Sequence, residues 1–143
     1  AEAAAFKPRK PIGVLRQIGN LVYTAGHGPE DQITGKPIYA GRIGRDLTPE
    51  EGHAAARECG VILLGALRDH FGSLDRVKSL VKATALINVD GDFCDLDYVM
   101  DGFSDLMADV LDERGKHVRT VMGTHNMPNG NIPVEIELIA EIE

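Results

Sequence analysis

Leu74-Asp75-Arg76-Val77-Lys78-Ser79-Leu80-Val81-Lys82-Ala83-Thr84-Ala85-Leu86-Ile87-Asn88-Val89 is the stretch whose reading decides the fold. It reads as one long central strand, closed by the turn Asp90-Gly91-Asp92. A side-chain period of two puts Val77, Val81, Ala83, Ala85, Ile87 and Val89 on one face. Lys78, Lys82, Thr84 and Asn88 then share the other with Leu80 and Leu86.

The segments flanking this strand read as helices. Upstream, Thr48 is an N-cap, Pro49 stands at N1 and Glu51 at N3, which completes a capping box. Apolar residues recur at Ala55, Cys59, Ile62, Leu63, Ala66 and Leu67, a period near 3.6, until Gly72 ends the helix. Gly60 and Gly65 lie inside it, each costing ~1 kcal/mol against Ala; their expected use is to let another backbone approach. Downstream, Asp95 or Asp97 caps a second helix with the stripe Val99, Phe103, Leu106 and Val110, closed by Arg114 before Gly115.

Further out lie shorter strands. Val14–Ile18 and Leu21–Ala25 flank Gly19-Asn20, a hairpin signal. Residues 30–46 form a polar loop with one short strand expected near Ile38-Tyr39. The chain closes with strands over Val118–Thr124 and Pro133–Ile142. In the last, Val134, Ile136, Leu138, Ala140 and Ile142 face one way, and Glu135, Glu137, Ile139, Glu141 and Glu143 the other. The order ββ(β)αβαββ describes an α+β fold: a mixed β-sheet with two α-helices packed on one face.

The 143 residues, 43% hydrophobic and 26% charged, suit one globular domain over 1–143, with residues 1–12 as an extended basic, proline-containing arm. No apolar run approaches the ~20 residues of a spanning helix, so no membrane partner is expected. The N-terminal residues shown carry no signal-peptide pattern, and the expected location is cytoplasmic. Two distant cysteines, Cys59 and Cys94, exclude a disulfide framework or cysteine-rich zinc module. A net charge of −7, no Trp and 5% aromatic residues make nucleic acid a poor partner.

No nucleotide-binding fingerprint, nucleophile elbow or H-E-x-x-H signature occurs. A zinc site from His27, His53 and His125 has no supporting spacing, and exposed or loop histidines are the plainer reading. His117, Arg119 and Val121 share one face of a strand. A guanidinium there offers a planar fork for a carboxylate, or pairs with a cross-strand Glu. Glu135, near the start of the facing final strand and so expected on a strand adjacent to that of Arg119, either orients a water or pairs with a Lys or Arg.

At these residues the sequence resembles the RidA (YjgF, reactive-intermediate deaminase) family, also described as endoribonuclease L-PSP. The resemblance is carried in order by Gly19-Asn20-Leu21-Val22-Tyr23-Thr24-Ala25-Gly26, by Ser73-Leu74-Asp75-Arg76-Val77 with Lys82-Ala83-Thr84, and by Asp92-Phe93. Val118-Arg119-Thr120-Val121, Met127-Pro128 and Val134-Glu135-Ile136-Glu137-Leu138-Ile139-Ala140 complete it. The start Asp46-Leu47-Thr48-Pro49-Glu50-Glu51-Gly52 is similar to the divergent, chorismate-mutase-like branch. The resemblance implies a chorismate-mutase-like fold and a homotrimer with clefts between subunits. It also implies cofactor-independent hydrolysis of enamines and imines such as 2-aminoacrylate to 2-keto acids and ammonia. Arg119 would hold the substrate carboxylate and Glu135 assist the water, with neither metal nor organic cofactor. Four departures stand out: Val121 replaces a common Cys, Ala25-Gly26-His27 replaces Ser-Gly-Gln, no Tyr matches near Ile12 or Gly13, and Asn129-Gly130-Asn131 adds about one residue. The alternatives are therefore a non-catalytic trimer binding small carboxylates and a ribonuclease or translation inhibitor.

Overall fold

The computed structural model describes residues 12–143, so the arm read over 1–12 lies outside the described residues up to its last position. The elements are β1 (Leu15–Ile18), β2 (Leu21–Thr24), α1 (Pro49–Phe71), β3 (Val77–Asn88), α2 (Leu96–Leu111), β4 (Val118–Thr124), α3 (Pro128–Asn131) and β5 (Val134–Ile142). The strands form one sheet in the order β1-β2-β5-β3-β4. Only β3 and β4 run parallel, joined through α2; every other pairing is antiparallel. This is the expected mixed-sheet α+β architecture. The short strand expected near Ile38-Tyr39 does not form, and the segment makes only isolated bridges, Glu30 to Pro37 and Ile43 to Leu47 and Val89.

α1 begins as its sequence dictates. Thr48 Oγ1 accepts from the Glu51 N–H and Glu51 Oε1 accepts from the Thr48 N–H, both at 3.1 Å. Gly72 ends it in the left-handed conformation at φ 86°, its N–H donating to the Arg68 carbonyl. Asp95, not Asp97, caps α2, accepting from the Tyr98 N–H.

β3 departs from the simple alternation. Leu74–Arg76 is a 3-10 turn capped by Ser73, so the strand starts at Val77. The ladder to β5 then slips between Val77 and Ser79 and again between Leu80 and Lys82. Each slip inserts a residue and reverses which side chains face inward. Val77, Leu80, Ala83, Ala85 and Ile87 are therefore buried, while Val81, expected inside, is 39% exposed. A second correction concerns α2: Val110 is exposed and Leu111 is buried with Val99, Phe103, Leu106 and Met107. Arg114 lies beyond α2 in a 3-10 turn and donates to the carbonyls of Leu74 and Val77 at 3.1 and 2.7 Å, tying that turn to the start of β3.

One core fills the space between the helices and the sheet. Ala55, Cys59, Leu63 and Leu67 of α1 and Phe103 and Met107 of α2 are buried with Ala83, Ala85, Ile136 and Leu138. The opposite sheet face is open and carries Tyr23, Leu86, Val118 and Met122, each at least 36% exposed. The helices meet closely at Gly102, where a Cβ would fall on the His53 carbonyl of α1. The backbone approach expected at Gly60 and Gly65 does not occur there: Gly60 receives the side chains of Phe103, Leu106 and Met107, and Gly65 has nothing near it. Gly102→Ala is therefore expected to destabilise the fold by about 3 kcal/mol through overpacking. Gly65→Ala should stabilise it by about 1 kcal/mol. Urea unfolding checks both, and equal effects at the two sites would contradict this helix contact.

Candidate functional site

Arg119 is the second residue of the edge strand β4. Strand alternation turns Arg119 and Val121 toward the helix side and leaves Val118, Thr120 and Met122 on the open face. The Arg119 guanidinium reaches α2 rather than a neighbouring strand. Its Nη1 lies 2.9 Å from Asp101 Oδ1 and donates to Ser104 Oγ at 3.0 Å. Nη2 donates to Asp97 Oδ1 at 3.2 Å. Positions 97, 101 and 104 share one helix face through i,i+4 and i,i+3 spacing. The carboxylates paired with Arg119 thus come from the helix, not from a cross-strand Glu.

His117, two residues before Arg119, joins this group. Its Nδ1 lies 2.7 Å from the Gly115 carbonyl and its Nε2 3.0 Å from Ser104 Oγ. A carbonyl can only accept, so Nδ1 carries the hydrogen and Nε2 of the neutral ring accepts from Ser104. The ring also packs edge-on against Phe103. Ser104, His117 and Arg119, with Ala108, Gly115 and Lys116, line an open cleft of about 430 Å³. Arg119 is the fixed member, its side chain only 24% exposed, against 47% for Asp101 and 82% for Asp97. Exposed ion pairs contribute little to stability, so both carboxylates can yield their place to an incoming anion at small cost.

Glu135 is placed elsewhere. It opens the inter-strand row that continues through Leu86 to Met122 on the open face. Its side chain lies over Gly26, where a Cβ would come within 2.9 Å of its Cγ, Cδ and Oε1. His27 holds that turn in place by exchanging backbone hydrogen bonds with Ile136 at 2.9 and 3.0 Å. Burial raises the Glu135 carboxyl above its ordinary value, and the negative charges of Glu30 and Glu137 raise it further.

The expectation that Arg119 and Glu135 lie on adjacent strands is corrected. β3 runs between β4 and β5, and the two side chains occupy opposite faces of the sheet. Ideal sheet spacing puts their Cα atoms about 14 Å apart. A single chain does not bring them together. His27, His53 and His125 belong to separate elements, with His53 stacked on Tyr98. Among the described residues no three His, Cys, Asp or Glu side chains are grouped to hold a metal ion. Cys59 is a core residue, as its place on the apolar stripe implied, and burial drives its thiol well above the ordinary range.

Sequence reasoning missed Asp97, Asp101 and Ser104. Their helical spacing was visible, but the side on which α2 meets β4 was not. Gly26 and Glu30 around Glu135 were missed because they depend on a long-range bridge from His27 to Ile136.

Fold and site together define a small α+β protein with a polar cleft at a sheet edge and a bare sheet face. The family model described as "YjgF/chorismate_mutase-like, putative endoribonuclease" matches residues 2–142, and the chain belongs to this YjgF (RidA-like) family. Protein TCP17 of Trypanosoma cruzi is 34% identical over 125 residues, covering 87% of this chain and 76% of that protein. The crystal structure of Atu1372 from Agrobacterium tumefaciens, a protein of unknown function, superposes with a TM-score of 0.87 at 30% identity, covering 93% of this chain and 83% of that one. A Shewanella oneidensis structure carrying the same endoribonuclease description gives 0.89 at 27% identity, over 96% and 89% of the two chains.

The raised Glu135 carboxyl has a consequence for stability. The folded state holds this proton more tightly than the unfolded chain, so stability is highest with the group protonated. It falls as pH rises from the unfolded value near 4.5 through the raised folded value, and stays lower above it. Glu135→Gln removes the titration. The variant should melt a few degrees above wild type at neutral pH, and the gap should close as pH falls below 4.5. Thermal unfolding across that range checks this, and a gap independent of pH would contradict it.

Proposed function

We propose that this protein is a cofactor-independent hydrolase of reactive enamine and imine intermediates of small amino acids, releasing a 2-keto acid and ammonia. The observation that carries this reading is the Arg119 guanidinium, largely buried at an open cleft with only exposed carboxylates in the way of a ligand. A bidentate guanidinium fixes a substrate carboxylate and hence the imine carbon beside it. Water adds to that carbon, the nitrogen takes up a proton, and the C–N bond breaks to leave a ketone and ammonia. Glu135 suits the proton transfers because burial, Glu30 and Glu137 raise its carboxyl above the ordinary value.

Arg119 and Glu135 lie on opposite faces of one sheet, so joint action on one substrate requires them from different copies. This accords with a homotrimer whose sites lie between neighbours. The bare sheet face supports association: Tyr23, Leu86, Val118 and Met122 form an apolar surface that a lone chain leaves in water. A cytoplasmic setting suits the proposed substrates, which are short-lived products of amino-acid metabolism.

A second reading, a carboxylate-binding trimer without catalysis, is favoured by Asp97 and Asp101 already occupying Arg119 and by Val121 in the place of a common Cys. The endoribonuclease description of the relatives fits less well, because a net charge of −7 opposes a polyanion.

The test is release of ammonia and 2-keto acid from enzymatically generated 2-aminoacrylate and related imino acids. Turnover above the uncatalysed rate is expected, with sedimentation as a single three-chain species. Arg119→Ala should lose at least about a hundredfold in kcat/KM, the scale of removing a charge-assisted anchor of about 3 kcal/mol. No turnover leaves the binding-only reading in place, and turnover that Arg119→Ala does not change contradicts Arg119 as the substrate anchor.

A further inference from the structure

The cleft holds a second kind of chemistry that carboxylate anchoring does not use. We propose that Ser104 is an activated nucleophile, paired with His117 as its base, which accepts acyl groups from small anionic esters. The geometry is that of a serine hydroxyl made reactive by an oriented imidazole. Ser104 Oγ lies 3.0 Å from His117 Nε2, and His117 Nδ1 lies 2.7 Å from the Gly115 carbonyl. In catalytic triads a third group fixes the tautomer and direction of the ring. Here a backbone carbonyl does so, and Phe103 packs the ring from the side.

Gly115 is itself forced by the fold. A Cβ there would fall on the Met107 carbonyl of α2, so the turn presses against the helix and its carbonyl cannot easily move away from His117. The imidazole is thus held by the same close approach that brings the end of α2 toward β4. Arg119 Nη1 donates to Ser104 Oγ at 3.0 Å, which favours the developing alkoxide. Exchange of Asp97 or Asp101 would free an N–H of the same guanidinium to donate to the oxyanion. Ser104 and His117 are partly exposed and both line the open cleft, so a small ester has access.

The step balances without any co-reactant beyond water. Ser104 Oγ bonds to the ester carbonyl carbon while its proton passes to His117 Nε2. The C–O bond to the alcohol breaks, and His117 returns the proton to the leaving oxygen. Water, deprotonated by the same nitrogen, then attacks the acyl-serine; the acyl C–Oγ bond breaks, His117 returns the proton to Ser104 Oγ, and the acid is freed. Arg119 and Lys116 line the cleft as cations paired with exposed carboxylates, Asp97 and Asp101 for the first and Glu113 for the second, and an acyl group carrying its own carboxylate can exchange for those partners. The inference does not rest on deamination; it stands or falls with Ser104.

The test uses the full chain with a fluorophosphonate and with para-nitrophenyl hydrogen succinate, compared with neutral para-nitrophenyl acetate. A single adduct mapped to Ser104 by peptide mass spectrometry is expected, with faster nitrophenolate release from the anionic ester. Ser104→Ala should abolish the adduct. His117→Gln retains a donor for the Gly115 carbonyl but no base, and should slow labelling by at least about a hundredfold while circular dichroism stays native. Absence of a Ser104 adduct overturns the proposal, as does unchanged labelling in a folded His117→Gln variant. Imine hydrolysis measured on the same variants separates this activity from the deaminase reading, which assigns no role to Ser104.

Discussion

β3 is bound on one side by an antiparallel ladder to β5 and on the other by a parallel ladder to β4. A parallel ladder cannot be closed by a hairpin; it needs a crossover, and here the crossover is α2. That constraint places α2 over the edge of the sheet where β4 runs. It also decides the company of Arg119, because the side of β4 that faces the core is the side that α2 covers. Asp97, Asp101 and Ser104 sit on the helix face that meets the guanidinium. The polar cleft is thus a consequence of strand direction.

The same strand shows how far the sequence could be read. The capping box at Thr48, the hairpin across Gly19-Asn20 and the clean alternation of the last strand rest on local chemistry, and the structure agrees at each. The inward face of β3 was legible at Val77 and again from Ala83 onward. Between them, two register slips exchange Val81 for Leu80, and nothing in the residue types marks a bulge whose cause is pairing with a distant strand. The site was legible to the same degree. Arg119 stood out because a cation interrupts an apolar strand, whereas its partners depend on where a helix twenty residues upstream comes to rest. Sheet order carries the remaining surprise: β3 inserts between β4 and β5, so residues expected to meet are kept apart.

That separation shapes the functional account. One face of the sheet is closed by two helices and carries the guanidinium at its edge. The other is bare, apolar at Val118, Met122 and Tyr23, and acidic along Glu135, Glu137 and Glu141. On one side stands a carboxyl that burial and neighbouring negative charge raise above its ordinary value, the group proposed here for proton transfer. On the other stands a guanidinium whose present partners are exposed carboxylates, the group proposed here as the anchor. Association of copies is the physical means by which the two could serve one ligand.

The central claim is that Arg119 receives a small carboxylate by exchanging Asp97 and Asp101 for it. Calorimetric titration with pyruvate tests this most directly. The account predicts saturable binding that tightens by about tenfold when both aspartates are changed to Asn, equivalent to ~1.4 kcal/mol, and weakens by a similar factor in Arg119→Lys. Binding that is indifferent to all three substitutions, or absent even when the aspartates are neutralised, would contradict it.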